Sequence, residues 1–154
     1  MQNTVRATRP RYRERLAPSL WLLASAAVLA PMVALTLVPV DSTFALVIGV
    51  VAAAVLIAAL IAASPSVSVE DSVLRAGRAH IDVRWLGDPV ALTGEEAKHA
   101  RGPGLPASSW HLIRGGIDGI VVVPNLDPDD PVRSWTISSR TPDRLAAAIR
   151  SAAS

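Results

Sequence analysis

The histidines His80, His99 and His111 are the side chains of this chain best suited to metal ligation or proton transfer, and their spacing supports neither. No two stand four apart beside a carboxylate, as a helical metal site requires. The chain has no cysteine, so thiolate ligands and disulfides are excluded. A Ser–His–Asp hydrolase would place its serine in a Gly-x-Ser-x-Gly turn, and none occurs. Arg101-Gly102-Pro103-Gly104 has the glycines of a backbone anion nest. It lacks the strand, lysine and hydroxyl of a phosphate loop and reads as a plain loop. Asp127, Asp129 and Asp130 alternate with prolines and lack the length and glycine of a calcium loop, so they read as a solvated turn. Trp85, Trp110 and Trp135 fall on the inward side of expected strands and read as core. A base-stacking platform would need them exposed amid basic residues.

What remains is Arg75, Arg78 and His80, gathered around an expected hairpin turn. They could meet anionic lipid headgroups or an acidic partner. The plainer reading is a solvated hairpin face, since Glu70, Asp71 and Asp82 dilute the charge. No catalytic residue, cofactor or metal ligand is assigned, and the chain reads as a non-enzyme.

The element that positions everything else is the apolar stretch from Leu20 to Ala63. A membrane-crossing helix needs roughly 20 mainly apolar residues for a hydrocarbon core of about 30 Å. Residues 20–40 and 43–63 each supply 21 positions without a charge, separated by Asp41 and Ser42. In lipid, backbone groups must be satisfied within the segment, so both runs should be helical. Pro31 should kink the first, and Trp21 suits the headgroup level at its start. A soluble two-helix core is the competing reading, but the remaining residues could not cover helices that are apolar all round. A cleaved signal ending near Ala24-Ser25-Ala26 is another, although the apolar run continues well past it. Small residues recur every fourth position, at Ala26, Ala30 and Ala34 and at Ala45, Gly49 and Ala53. Such stripes could pack the hairpin or a homo-oligomer; ordinary alanine-rich lipid-facing surface is the alternative.

Charge is unevenly distributed. Arg6, Arg9, Arg11, Arg13 and Arg15 against Glu14 give residues 1–19 a net +4, whereas residues 66–154 carry ten basic and eleven acidic side chains. The basic balance thus belongs to the tail, which excludes a nucleic-acid-binding reading of the domain. The five arginines form a topology signal that holds the N-terminus in the cytoplasm, and two spans return the C-terminus to the same side. They could also contact anionic lipid, at about 1 kcal/mol each near the surface. The expected location is the inner (plasma) membrane. The expected partners are the bilayer and an unidentified membrane or cytoplasmic protein.

Residues 66–154 change period. Val67-Ser68-Val69-Glu70 alternates as a half-buried strand does, Val73–Ala76 turns back, and His80–Trp85 alternates again, predicting a three-strand antiparallel meander. Thr93-Gly94-Glu95-Glu96 has the spacing of a capping box opening a short helix. Strands are expected over Ser109–Ile113, Ile117–Val123, with Gly119 as a bulge, and Val132–Ser138. Thr141-Pro142-Asp143 then opens a helix over 142–152, with Leu145 and Ile149 as its apolar stripe. The fold class expected is a membrane α-hairpin plus a small, mainly-β barrel or sandwich with a C-terminal helix.

This order, with the junction Ile137-Ser138-Ser139-Arg140-Thr141-Pro142-Asp143-Arg144-Leu145, resembles bacterial pleckstrin-homology-like domains. The whole chain resembles DUF3093, a family of short actinobacterial membrane proteins of unknown function. The matching residues are Tyr12-Arg13-Glu14-Arg15-Leu16, Leu74-Arg75-Ala76-Gly77-Arg78-Ala79-His80-Ile81, Arg101-Gly102-Pro103-Gly104 and the Ser139–Leu145 junction. The resemblance implies a membrane protein with no assigned activity and no catalytic residues to carry over. Three functions fit: a membrane-anchored adaptor or scaffold, an anionic-lipid-sensing module, and an accessory subunit of a transporter or envelope enzyme.

Overall fold

The computed structural model describes residues 12–39 and 41–154. They form two units, one of Ala17–Ser64 and one of residues 12–16 together with Pro65–Ser154.

The first unit is a helix pair, α1 (Leu20–Leu37) and α2 (Ser42–Ala62). Both N-termini are capped by side chains. Ser19 Oγ accepts from the Leu22 N–H at 3.3 Å, and Asp41 Oδ1 accepts from the Phe44 N–H at 2.8 Å. Helix α1 runs through Pro31 and ends short of the expected Val40, because Pro39 has no N–H to add a rung. The small residues face inward: Ala26 on α1 and Ala45, Gly49 and Ala53 on α2 are the buried positions. A Cβ on Gly49 would stand 2.5 Å from the Ala30 carbonyl oxygen and 3.0 Å from the Ala34 Cβ. The large apolar side chains point outward, with Trp21 82% and Leu35 71% exposed.

The second unit holds two four-stranded sheets. In the first, β1 (Tyr12–Arg15), β2 (Ser66–Glu70), β3 (Val73–Ala76) and β4 (Ala79–Asp82) are neighbours in that order and antiparallel throughout. Asp71 and Ser72 both take positive φ, the twist a two-residue hairpin needs, and Gly77 supplies the left-handed position of the next turn. Two expectations are corrected here. Residues 12–15 of the expected arginine-rich tail form a strand, and Leu16 behind them is fully buried. Its N–H bonds the Pro65 carbonyl at 2.9 Å. The strand expected to reach Trp85 stops at Asp82, whose carboxylate accepts from the Arg84 N–H at 3.0 Å and turns Val83–Trp85 into a 3-10 turn.

The second sheet has the order β5 (Val90–Leu92), β7 (Ile120–Pro124), β8 (Ser134–Ser138), β6 (Ser109–Leu112). Strand β8 inserts between its predecessors, so β6 pairs with it in parallel, Trp110 opposite Trp135, unlike the antiparallel pairs of the rest of the sheet. Gly119 precedes β7 and is no bulge within it. A Cβ there would come within 2.9 Å of the Pro142 ring, so the glycine lets this segment pass under the strand-to-helix junction. Helix α3 (Gly94–Ala100) follows Thr93, which makes no side-chain cap bond because Gly94 takes a left-handed φ of 59°. Helix α4 (Pro142–Ala153) buries Leu145, Ala146 and Ile149. They join Leu16, Val67, Leu74, Ile81, Val121 and Ile137 in one core shared by both sheets.

Candidate functional site

Alternation on β1 turns Tyr12 and Glu14 toward the body of the unit and leaves Arg13 and Arg15 exposed. Arg75, Arg78 and His80 are likewise exposed, and the structure brings them to the sheet that holds Arg13. Arg13 stands opposite Ser68, Ser68 opposite Arg75, and Arg75 opposite His80, one polar row across four strands. Arg78 lies in the β3–β4 turn, at the end of the sheet where Arg15 pairs with Ser66. Glu70 and Asp82 flank Val73 on a neighbouring row and temper the charge. Arg6, Arg9 and Arg11 lie outside the described residues.

The other candidates resolve as framework. His80, His99 and His111 sit on β4, α3 and β6, and all are exposed. Arg101 Nη1 donates to the Ile117 carbonyl at 2.8 Å, so the glycine loop is tied down by its own arginine. The Asn125–Pro131 loop folds on its own side chains. Asp127 Oδ1 accepts from the Asp129 N–H at 3.0 Å, and Asp130 Oδ1 from the Val132 N–H at 2.8 Å. Asn125, buried beneath them, donates to Asp130 and to the Val132 carbonyl, both at 2.8 Å. Trp110 and Trp135 pack with ring centroids 6.0 Å apart.

What the spacing of residues did not reveal is a polar cluster joining β1 to the β8–α4 junction. Glu14 is its centre, with its side chain 13% exposed. Its Oε2 accepts from the Tyr12 hydroxyl and from the fully buried Ser139 hydroxyl, both at 2.6 Å. Its Oε1 accepts from the Arg140 N–H at 2.8 Å. Each hydroxyl has one proton to give, so these bonds decide the others. Ser139 Oγ accepts from the Thr141 N–H at 3.0 Å, and the Tyr12 oxygen accepts from the Thr141 hydroxyl, also at 3.0 Å. Thr141 is therefore turned toward Tyr12 and makes no side-chain cap for α4. Burial, and then the hydrogen bond to Glu14, hold the Tyr12 phenol above its ordinary pKa, so it stays a donor at neutral pH.

Beside this cluster lies an open groove of about 830 Å³ between β1 and α4, lined by Tyr12, Arg13, Glu14, Arg140, Thr141 and Arg144 and floored by alanines of α4. Arg140 reaches back across it, its Nη1 3.2 Å from the Arg15 carbonyl and 3.8 Å from Glu14 Oε1. The groove unites two segments about 125 residues apart, Tyr12–Leu16 and Ser139–Leu145. Both were noted in the sequence, but nothing in either said that they touch. The one signal was that Glu14 is the lone acid among the tail arginines.

The model of the DUF3093 family, described as a protein of unknown function, matches residues 11–149. No curated protein and no solved structure matches the chain.

Proposed function

The chain belongs to the DUF3093 family, and from that premise we propose that it is a two-span inner-membrane protein that acts, without catalysis of its own, as an adaptor presenting its β unit to the cytoplasm. The observation that carries the reading is the outer surface of the helix pair. Both helices are free of charge and turn Leu, Val, Trp and Met side chains outward, which water would penalise and lipid would not. A second observation supports the topology: β1 precedes the helices, β2 follows them, and the two are paired. A hydrogen-bonded sheet edge cannot straddle a bilayer, which favours both chain ends on one side. The arginines put that side in the cytoplasm. The meander of the first sheet and the packing of α4 support a pleckstrin-homology-like reading of the β unit.

The absence of cysteine makes the topology test direct. In otherwise cysteine-free protein, Asp41→Cys should react with an impermeant maleimide added to intact spheroplasts. Ser154→Cys should react only after lysis. Reaction of both before lysis would sink the two-span reading, and the reverse pattern would invert it. For the adaptor role, in-cell crosslinking of the full chain should capture proteins that a chain ending at Ser66 does not. Identical capture by both would move the function into the helices.

A further inference from the structure

The groove between β1 and α4 carries more positive charge than its own carboxylate balances. Arg13, Arg140 and Arg144 line it, and Glu14 is the one acid among its lining residues. Both Glu14 oxygens are already engaged by Tyr12, Ser139 and Arg140. Arg140 is held in place by Glu14 and the Arg15 carbonyl. Arg13 and Arg144 are exposed, and neither forms an ion pair with any other described residue. They come from different elements, one from an edge strand and one from a helix, and both line one open space large enough for a solvated ester headgroup. The Thr141 and Ser151 hydroxyls line the same space.

Two guanidinium forks approaching from separate elements suit a tetrahedral anion with several charged oxygens better than a planar carboxylate, which one fork satisfies. We propose that this groove is a binding site for a phosphate ester, with Arg13 and Arg144 as its charged contacts and Arg140, fixed by Glu14, as a further positive group beside them. The buried cluster behind it acts as a rigid back wall, since each of its hydroxyl protons is committed. The site stands on the geometry of the β unit and does not depend on the adaptor reading. A free phosphate ester and the headgroup of an anionic phospholipid share this chemistry.

The test uses the full chain in phosphatidylcholine nanodiscs, with glycerol 3-phosphate as the soluble probe, and separately in nanodiscs containing phosphatidylglycerol. Thermal unfolding and phosphorus NMR are the readouts. Binding is expected in at least one arm, and Arg144→Gln should weaken it about tenfold, as loss of one charged hydrogen-bonding contact does. Arg84→Gln should not, since Arg84 is engaged by Asp82 and lies over the Trp85 ring. A response to the soluble probe in neutral discs identifies a free ester, and a response confined to anionic discs identifies a lipid. No response in either arm overturns the proposal. Equal losses in Arg144→Gln and Arg75→Gln also overturn it, because they would show diffuse attraction to the whole basic surface.

Discussion

Glu14 shows how much one residue can hold together when its partners are distant in sequence. It accepts three hydrogen bonds, one of them from a serine with no access to water. Glu14→Ala would strand those donors, and the expected loss is about 2–3 kcal/mol in chemical denaturation. Glu14→Gln should recover part of it by keeping one acceptor oxygen. Tyr12 gives the cluster a pH signature. Its folded pKa lies above the ordinary phenol value, so the protonated form is favoured in the fold. That contribution is fully present below a pH of about 10 and is lost as the pH rises through the folded value. Tyr12→Phe should remove this alkaline component of the melting curve. An unchanged alkaline limb in that variant would show that the phenol does not titrate as described. At the acid end, hydrogen bonding to Arg150 lowers the Asp88 pKa, so that contact weakens as the pH falls below the carboxylate range.

At the scale of elements, β1 is the instructive case. A strand of four residues, one aromatic followed by three charged, is a weak signal, and its arginines also read as a topology mark. The cue was the period of two: Tyr12, Glu14 and Leu16 turn inward while Arg13 and Arg15 turn outward. Its partner strand lies beyond two helices, so no local turn chemistry announced the pairing. By contrast, the helix pair and α4 were legible because charge-free length and the Thr-Pro-Asp start are local properties. The parallel pairing of β6 with β8 was not, because parallel neighbours leave no mark on the turn between them. Two outcomes follow. A chain beginning at Ser66 lacks β1 and Leu16; Leu16→Ala alone should cost about 2–5 kcal/mol, and the truncated chain more. Because the Leu16 N–H reaches the Pro65 carbonyl, replacing residues 17–64 with a short glycine linker should yield a folded, soluble β unit. Circular dichroism and amide dispersion compare the two, and equal folding would refute the role given to β1. In the helix pair, Gly49→Leu should force the helices apart at Ala30 and lower the protein's stability in micelles.

For the whole molecule, the same connection explains why the halves cannot be read separately. Taken alone, residues 1–19 are an arginine-rich tail and residues 66–154 a nearly neutral domain. Joined, part of the tail becomes an edge of the first sheet and one wall of the arginine-lined groove. On the proposed topology, charge serves orientation and surface chemistry at once. Replacing Arg6, Arg9 and Arg11 with glutamine weakens the first role without touching β1. Protease protection in spheroplasts should then show some chains inverted, yet with both ends still on a common side. Intact chains with ends on opposite faces would contradict the pairing of β1 with β2.

The pairing also sets an order of events during synthesis. Strand β1 leaves the ribosome before either apolar helix, and its partner β2 only after both. The edge strand must wait, unpaired, while some fifty residues are made. A chain whose helices stall or insert singly leaves β1 and β2 apart, and its β unit keeps an open edge with Leu16 missing from the core. On the proposed two-span topology, correct insertion becomes a condition for completing the fold of the β unit, and a quality-control protease that degrades unfinished domains would remove misinserted molecules without ever inspecting the membrane.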